Sequence, residues 1–241
     1  MTKTTHARKS DAIWYDEHYY NRHEPSRTQW YDMLLMNLAP TVKSSDVFLE
    51  VGCGESYALR YLAEKNLVKQ SNIYGIDQSK LAIKHISASL PHAHFEQGDI
   101  YDLSFKKSFF DVVLMMEVIE HLENPKAALQ QVYSVTKKGG TFYLSFPNFS
   151  VFPWRQVRWI SDNFHLPGLV NKQPIDNIYS ISTVINMVES TGFRLHNLIG
   201  VTYLTAALTN IESINEYSFT RKLNAIGLSE RSLHPLLVFS K

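Results

Sequence analysis

The chain has 241 residues, with 24 Lys and Arg against 23 Asp and Glu for a formal net charge of +1, a length that suits one large domain or one domain with an appended segment. Apolar residues make up 44% and charged residues 20%, which suits a sizeable core and excludes a disordered chain and a broadly basic nucleic-acid binder. The single cysteine, Cys53, excludes an intrachain disulfide and Cys-rich zinc sites, and the longest unbroken apolar run, Val112 to Met116, falls far short of the ~18 residues a spanning helix needs, so a cytoplasmic location without a transmembrane segment is expected.

In chain order, an aromatic-rich segment comes first, with Trp14, Tyr15, Tyr19, Tyr20, Trp30 and Tyr31. Val47 to Val51 is a β-rich run ending in glycines; Ala58 to Glu64 then reads as a helix, Ile73 to Ile76 as a strand, Lys80 to Ser89 as a helix and His94 to Gln97 as a strand. Phe110 to Met115 is apolar almost throughout, the pattern of a central parallel strand covered on both faces. Pro125 suits the first turn of a helix running to Val135, and Lys137-Lys138-Gly139-Gly140 ends it before a strand at Thr141 to Ser145. Pro153, Pro167, Gly168 and Pro174 break any long element in the stretch that follows. A helix starts near a capping Ser182 and stops at Gly192; a strand from Phe193 to Val201, a helix from Ile211 to Asn224 and a closing strand from Leu236 to Phe239 complete the chain. Alternation at this spacing implies βαβ units and a three-layer, Rossmann-like α/β fold. Its seven-stranded sheet is expected to be mainly parallel, with one antiparallel strand near the carboxyl end.

Leu49-Glu50-Val51-Gly52-Cys53-Gly54-Glu55-Ser56 runs from a strand through a glycine turn into a helix. Glycine there opens the backbone to a ligand and permits positive φ. A dinucleotide fingerprint wants a third glycine where this chain has Tyr57, and Glu50 would repel a pyrophosphate held by the turn. An ammonium group reverses the sign of that contact, so Glu50 favours a nucleoside joined to an amino acid. Asp77, 23 residues after Gly54, can accept hydrogen bonds from ribose hydroxyls, or can merely cap the next helix together with Gln78 and Ser79. Asp99, in Gln97-Gly98-Asp99-Ile100, can accept from an adenine amine or be an ordinary turn aspartate. The three carboxylates, each at the carboxyl end of a successive strand, are far more specific together than singly.

These residues resemble the class I S-adenosylmethionine-dependent methyltransferases, most closely the small-molecule type that includes the ubiquinone-biosynthesis O-methyltransferases. The resemblance rests on Glu50-Val51-Gly52-Cys53-Gly54, Tyr74-Gly75-Ile76-Asp77, Gly98-Asp99-Ile100, the run from Phe110 to Leu122 that includes Glu117, Glu120 and His121, and Lys138-Gly139-Gly140-Thr141. It covers about Val47 to Phe146 and extends loosely to Phe193. It implies S-adenosylmethionine as cofactor and S-adenosylhomocysteine as product. Gly52, Cys53 and Gly54 then pack against the methionyl part beside Glu50. Asp77, with Gln78, holds the ribose, Asp99 holds the adenine beside Ile100, and Glu117 lies near the reacting methyl. Ser56 stands where the family often has a third small glycine. A single domain over 1–241 is expected, comprising an amino-terminal helical lid (1–45), the cofactor core (46–146), a substrate-side insertion (147–180) and the remaining helices and closing strands (181–241).

Glu117, Glu120 and His121 admit three readings. They can cap and orient the site; His121 can act as a general base, with Glu117 beside it, since histidine titrates near neutral pH; or the three can hold a divalent cation such as Mg2+. The cation is the least favoured and no metal is expected. Tyr19 before the first strand, and Trp154 and His165 in the insertion, are candidate substrate contacts in an aromatic-lined lid; rings there can equally extend the core or form a dimer contact. The expected activity is methyl transfer to a small or medium-sized, aromatic or lipophilic acceptor, most readily at oxygen, by a monomer or homodimer without a nucleic-acid partner. The alternatives are a methyltransferase for RNA or protein and a non-catalytic S-adenosylmethionine-binding module.

Overall fold

The computed structural model describes residues 13–17, 35–164, 173–202 and 222–241. Tyr19, His165 and most of the helix expected at 211–224 lie outside the described residues. Strand β1 (Phe48–Val51), buried along its whole length, runs through the glycine turn into helix α1 (Tyr57–Glu64). Strand β2 (Ile73–Asp77) leads into helix α2 (Lys80–Ser89), which starts where Ser79 accepts from the Ala82 amide. A short strand, β3 (His94–Gln97), precedes the central strand β4 (Phe110–Met116). Asn124 caps helix α3 (Pro125–Val135), with proline in its first turn as expected, and strand β5 (Thr136–Ser145) follows directly. Helices α4 (Trp154–Phe164) and α5 (Ile181–Glu189) and strands β6 (Arg194–Thr202) and β7 (His234–Ser240) complete the framework.

The strands form one seven-stranded sheet in the order β3-β2-β1-β4-β5-β7-β6. Pairing from β3 to β5 is parallel, and β7 runs antiparallel to both β5 and β6. This is the expected mixed Rossmann-like sheet, with its one reversed strand lying between the last two parallel ones. Side chains alternate across it. Phe48, Val112, Leu114 and Met116 join Leu59 and Leu62 of α1 and Ile86 of α2 on one face, whereas Leu49, Val113, Met115 and Phe142 join Leu129 and Val132 of α3 and Val184 and Val188 of α5 on the other. Period-two alternation buried on both faces is what a central sheet between two helical layers requires.

Phe142 is fully buried and lies 5.1 Å from Phe193 and 6.0 Å from Phe239, ring centroid to centroid. Phe142→Ala should lower unfolding stability by about 3–5 kcal/mol, the usual loss for an aromatic truncated in a close-packed core. Urea melts at a pH where both proteins are folded measure it. A loss under 1 kcal/mol would mean that the neighbouring rings collapse into the space.

Several bounds move by one or two residues, and three differences have a local physical basis. Strand β5 starts at Thr136 instead of Thr141, because an irregularity beside β4 keeps the lysine-glycine stretch extended, with Gly139 at φ +78°. Helix α5 is capped by Ser180 instead of Ser182, because Ser180 Oγ is the atom that accepts from the Thr183 amide, at 3.1 Å. An eleven-residue helix, α4, occupies part of the stretch expected to be broken. Its buried side chains include Trp154, Arg158 and Ser161, while Trp159 and Phe164 are exposed. No helix among the described residues is long and apolar enough to cross a membrane.

Candidate active site

The turn after β1 is held by backbone hydrogen bonds. The amides of Gly52 and Cys53 both donate to the Ile76 carbonyl, at 2.8 and 3.0 Å, tying the turn to β2. Gly52 sits at φ +68° and Gly54 at φ +49°. A Cβ on Gly52 would lie 2.6 Å from Val118 Cγ2, so both backbone angle and space demand glycine there.

Glu50, one residue before the end of β1, is 3% exposed. Its Oε2 accepts a hydrogen bond from Ser56 Oγ, and Ser56 Oγ in turn accepts from the Leu59 amide at 2.9 Å to cap α1. Burial pushes the Glu50 carboxyl up to about 8; the Ser56 bond opposes this shift and the nearby Asp77 adds to it. A carboxyl that burial holds neutral is released to its charged form by a cation at its side. Ser56 has φ +30°, so the serine in place of a third small glycine adopts an angle that glycine prefers and adds a hydroxyl that glycine lacks. Its preceding-the-helix position was a sequence signal for the cap, but not for the bond to Glu50.

Asp77 closes the turn from the other side. Its Oδ2 accepts from the Gly54 amide and its Oδ1 from the Ser79 amide, both at 2.8 Å. Burial raises its pKa above the ordinary carboxylate value, with the Ser79 and Gly54 amides opposing and Asp16 reinforcing. Asp77 therefore clasps the glycine turn to the start of α2. Asp16, in the helical residues 13–17, accepts from Ser79 Oγ at 2.6 Å and from the Leu81 amide at 3.2 Å. The amino-terminal flank thus touches the start of α2, a contact that sequence alone did not signal. Gln78 and Ile100 are half-buried nearby in the chain, and Asp99 Oδ1 accepts from the Tyr101 amide at 2.9 Å, a turn role. The Cys53 thiol is buried, and burial pushes it well above its ordinary pKa.

Glu117, Glu120 and His121 lie just past β4. Glu117 has φ +56°, a backbone angle that favours glycine and costs a side-chain-bearing residue on the order of 1–2 kcal/mol. Ser145 fixes it twice: the Ser145 carbonyl accepts from the Glu117 amide at 3.1 Å, and Ser145 Oγ donates to Glu117 Oε1 at 2.8 Å. His234, the first residue of β7, brings its Nε2 to 3.6 Å from Glu117 Oε2. Glu120 and His121 occupy one 3-10 turn. Glu120 is fully buried, and desolvation together with Glu117 pushes its carboxyl well above the usual range. His121 Nδ1 meets the Ile175 carbonyl at 2.7 Å and its Nε2 lies 3.4 Å from Glu120 Oε1. Burial lowers the His121 pKa, so the ring is held neutral with Nδ1 donating to that carbonyl. Asn177 closes the same turn by donating from Nδ2 to the carbonyls of Glu120 and Leu122. Among the described residues no three His, Cys, Asp or Glu side chains form a group that could hold a metal ion. Trp154, a candidate substrate contact, is buried at the start of α4.

Residues 49–144 match the family described as a methyltransferase domain. That stretch, from β1 through β5, is similar to S-adenosylmethionine-dependent methyltransferase domains. It is 26% identical over 187 residues to a probable S-adenosylmethionine-dependent methyltransferase of Mycolicibacterium smegmatis, covering 77% of this chain but only 63% of that relative. It is 24% identical over 186 residues to the ubiquinone biosynthesis O-methyltransferase of Nitrosomonas europaea, covering 74% of each chain. The fold is similar to that of a putative methyltransferase of Haloferax volcanii, solved with the Trm112 methyltransferase activator, which superposes with a TM-score of 0.68 at 20% identity, covering 97% of this chain and 98% of the other.

The domain's cofactor is S-adenosylmethionine, and the residues present fit it. A turn that a Cβ at Gly52 would crowd, a buried carboxyl at its floor and acids after β2 and β3 offer donors and acceptors suited to an amino acid joined to a nucleoside. Sequence reasoning missed Ser56 as a partner of Glu50, Ser145 as the clamp on Glu117, and His234. Nothing local in His234-Pro235-Leu236 marks that histidine. Only the reversal of β7 carries its amino-terminal residue to the edge where the parallel strands end.

Proposed function

We propose that this chain transfers a methyl group from S-adenosylmethionine to a hydroxyl oxygen of a small or medium-sized aromatic or lipophilic acceptor. The observation that carries the reading is the buried Glu50 beneath a glycine turn, followed by Asp77 and Asp99 at the ends of the next two strands. In this reading Glu50 takes the ammonium of the methionyl group, the open backbone at Gly52, Cys53 and Gly54 lies along it, and Asp77 with Gln78 takes the ribose. Asp99 and Ile100 take the adenine, and Glu117 borders the methyl. When bound, S-adenosylmethionine supplies an electrophilic methyl on its sulfonium.

Alignment of the acceptor and exclusion of water are then the main tasks of the chain. In this reading the enclosure falls to the aromatic-rich sequence on either side of the core, whose described part includes the buried Trp154. The near-neutral chain and its one buried cysteine support a small-molecule acceptor and a cytoplasmic setting. Calorimetry with S-adenosylmethionine and S-adenosylhomocysteine tests the cofactor half of the reading, which a lack of binding by the pure protein would overturn. Transfer of a 13C-labelled methyl group tests the acceptor half, because the carbon shift of the product separates an oxygen-bound from a nitrogen-bound methyl.

A further inference from the structure

The parallel strands β1, β2, β4 and β5 all end at the same edge of the sheet, and β7, running the other way, begins there. Met116 at the end of β4 pairs with Ser145 at the end of β5, and Ser145 pairs with Leu236 in β7. Glu117, Ser145 and His234 are therefore placed across three neighbouring strands, although the first and last are far apart in the chain. Their contacts follow that placement, with Ser145 Oγ donating to one oxygen of Glu117 and His234 Nε2 lying 3.6 Å from the other. Ser145 is itself fully buried, so the carboxylate rests on a fixed support.

The two histidines near this edge differ in access. The side chain of His121 is 13% exposed and that of Glu120 is 2% exposed. The side chains of His234 and Glu117 are 23% and 26% exposed, open enough to meet a molecule lying on the sheet edge yet partly shielded from water. A carboxylate beside an imidazole stabilises its protonated form and orients the ring, and a histidine held in this way is suited to taking a proton. Contacts of this kind are often loose before substrate enters and tighten around it, so a separation of 3.6 Å is compatible with the role.

We propose that His234 is the general base for the acceptor hydroxyl and that Glu117, braced by Ser145, is its positioning residue. This inference rests on the methyl-transfer reading given above. As the acceptor oxygen bonds to the methyl carbon, the carbon–sulfur bond breaks and its electron pair stays on sulfur, leaving a neutral thioether. The hydroxyl proton passes to the His234 imidazole, whose positive charge faces the Glu117 carboxylate, and water later removes that proton.

The full chain, with His234→Ala and His234→Gln variants, tests this with 4-tert-butylcatechol, a hydroxylated ring bearing an apolar group. Three readouts are needed: calorimetric binding of S-adenosylhomocysteine, binding of the catechol to the protein saturated with that product, and transfer of labelled methyl. We expect both variants to bind S-adenosylhomocysteine as the wild type does and to lose about 100-fold in transfer, the usual span for a general base. Added imidazole should restore transfer at least tenfold in His234→Ala and not in His234→Gln, where the longer side chain fills the space. Transfer at the wild-type rate in His234→Ala overturns the proposal, as does loss of S-adenosylhomocysteine binding in both variants, which would make His234 structural. A wild type that binds S-adenosylhomocysteine but neither binds nor methylates the catechol also overturns it, with the cofactor reading intact. A wild type that does not bind S-adenosylhomocysteine overturns the cofactor reading itself.

Discussion

Glu50→Gln should stabilise the empty protein in alkaline solution while weakening its hold on S-adenosylmethionine at least 100-fold. The reason is the buried carboxyl, whose pKa rises from 4.5 to about 8 in the folded protein. Below pH 4.5 folded and unfolded chains both hold this proton. Between 4.5 and 8 the unfolded chain releases it while the folded one keeps it, so the folded state binds more protons and stability falls as pH rises. Above pH 8 both are ionised and the penalty is constant, on the order of 5 kcal/mol at ~1.4 kcal/mol per pKa unit. Glutamine keeps the shape and the acceptor for Ser56 but has no charge to bury, so its melting temperature should overtake the wild type's as pH rises from 6 to 9.

Cofactor binding has the opposite pH sign. An ammonium group beside Glu50 selects the ionised carboxylate, so binding should release close to one proton near neutral pH. Affinity should then rise toward tenfold per pH unit below 8 and flatten above it. Calorimetry in two buffers of different ionisation enthalpy counts the released proton directly. A Gln variant that melts below the wild type at pH 9 and binds S-adenosylmethionine normally would remove Glu50 from the site.

The second large effect separates backbone angle from space at two glycines of similar φ. Gly52 has φ +68° with Val118 Cγ2 2.6 Å from a hypothetical Cβ, and Gly139 has φ +78° with nothing within 4 Å. Gly139→Ala should therefore lose only the angular term, about 1–2 kcal/mol. Gly52→Ala should lose that and a further 1–3 kcal/mol from overpacking against a stiff β-branched neighbour. Denaturant melts of the two variants give the difference. The Gly52 variant should also bind S-adenosylmethionine at least tenfold more weakly, since the turn can relieve the contact only by moving. Equal destabilisation of the two would show that Val118 yields easily and that only the angle matters.

The glycine turn and the acids at the strand ends were legible because their signals are local. A β run and two glycines announce a turn whatever the rest of the chain does, and Glu50, Asp77 and Asp99 are each read from their distance to a strand end. The cluster around Glu117 was not, because its members meet only through topology: Glu117 can be placed by its strand, but Ser145 and His234 become its neighbours only once β5 and a reversed β7 lie beside β4. Helix α4 escaped for a different reason. Arg158 and Ser161 are on its buried side and Trp159 and Phe164 face out, so the apolar pattern points away from the packed face. Arg158 is buried because it reaches Asp162 and Asp176, at 2.8 and 2.6 Å, partners that hydropathy does not reveal.

The twin bonds of Asp77, one to the Gly54 amide and one to the Ser79 amide, bear on the thermodynamics of ligand capture. They join the ends of two strands, so on the proposed reading the turn that receives the methionyl group is held in place by the chain's own bonds. Little conformational entropy is then left to lose on binding, and more of the contact energy appears as affinity. Asp77 is in this sense a tension member of the turn, and its removal would leave an incoming ligand to organise its own receptor.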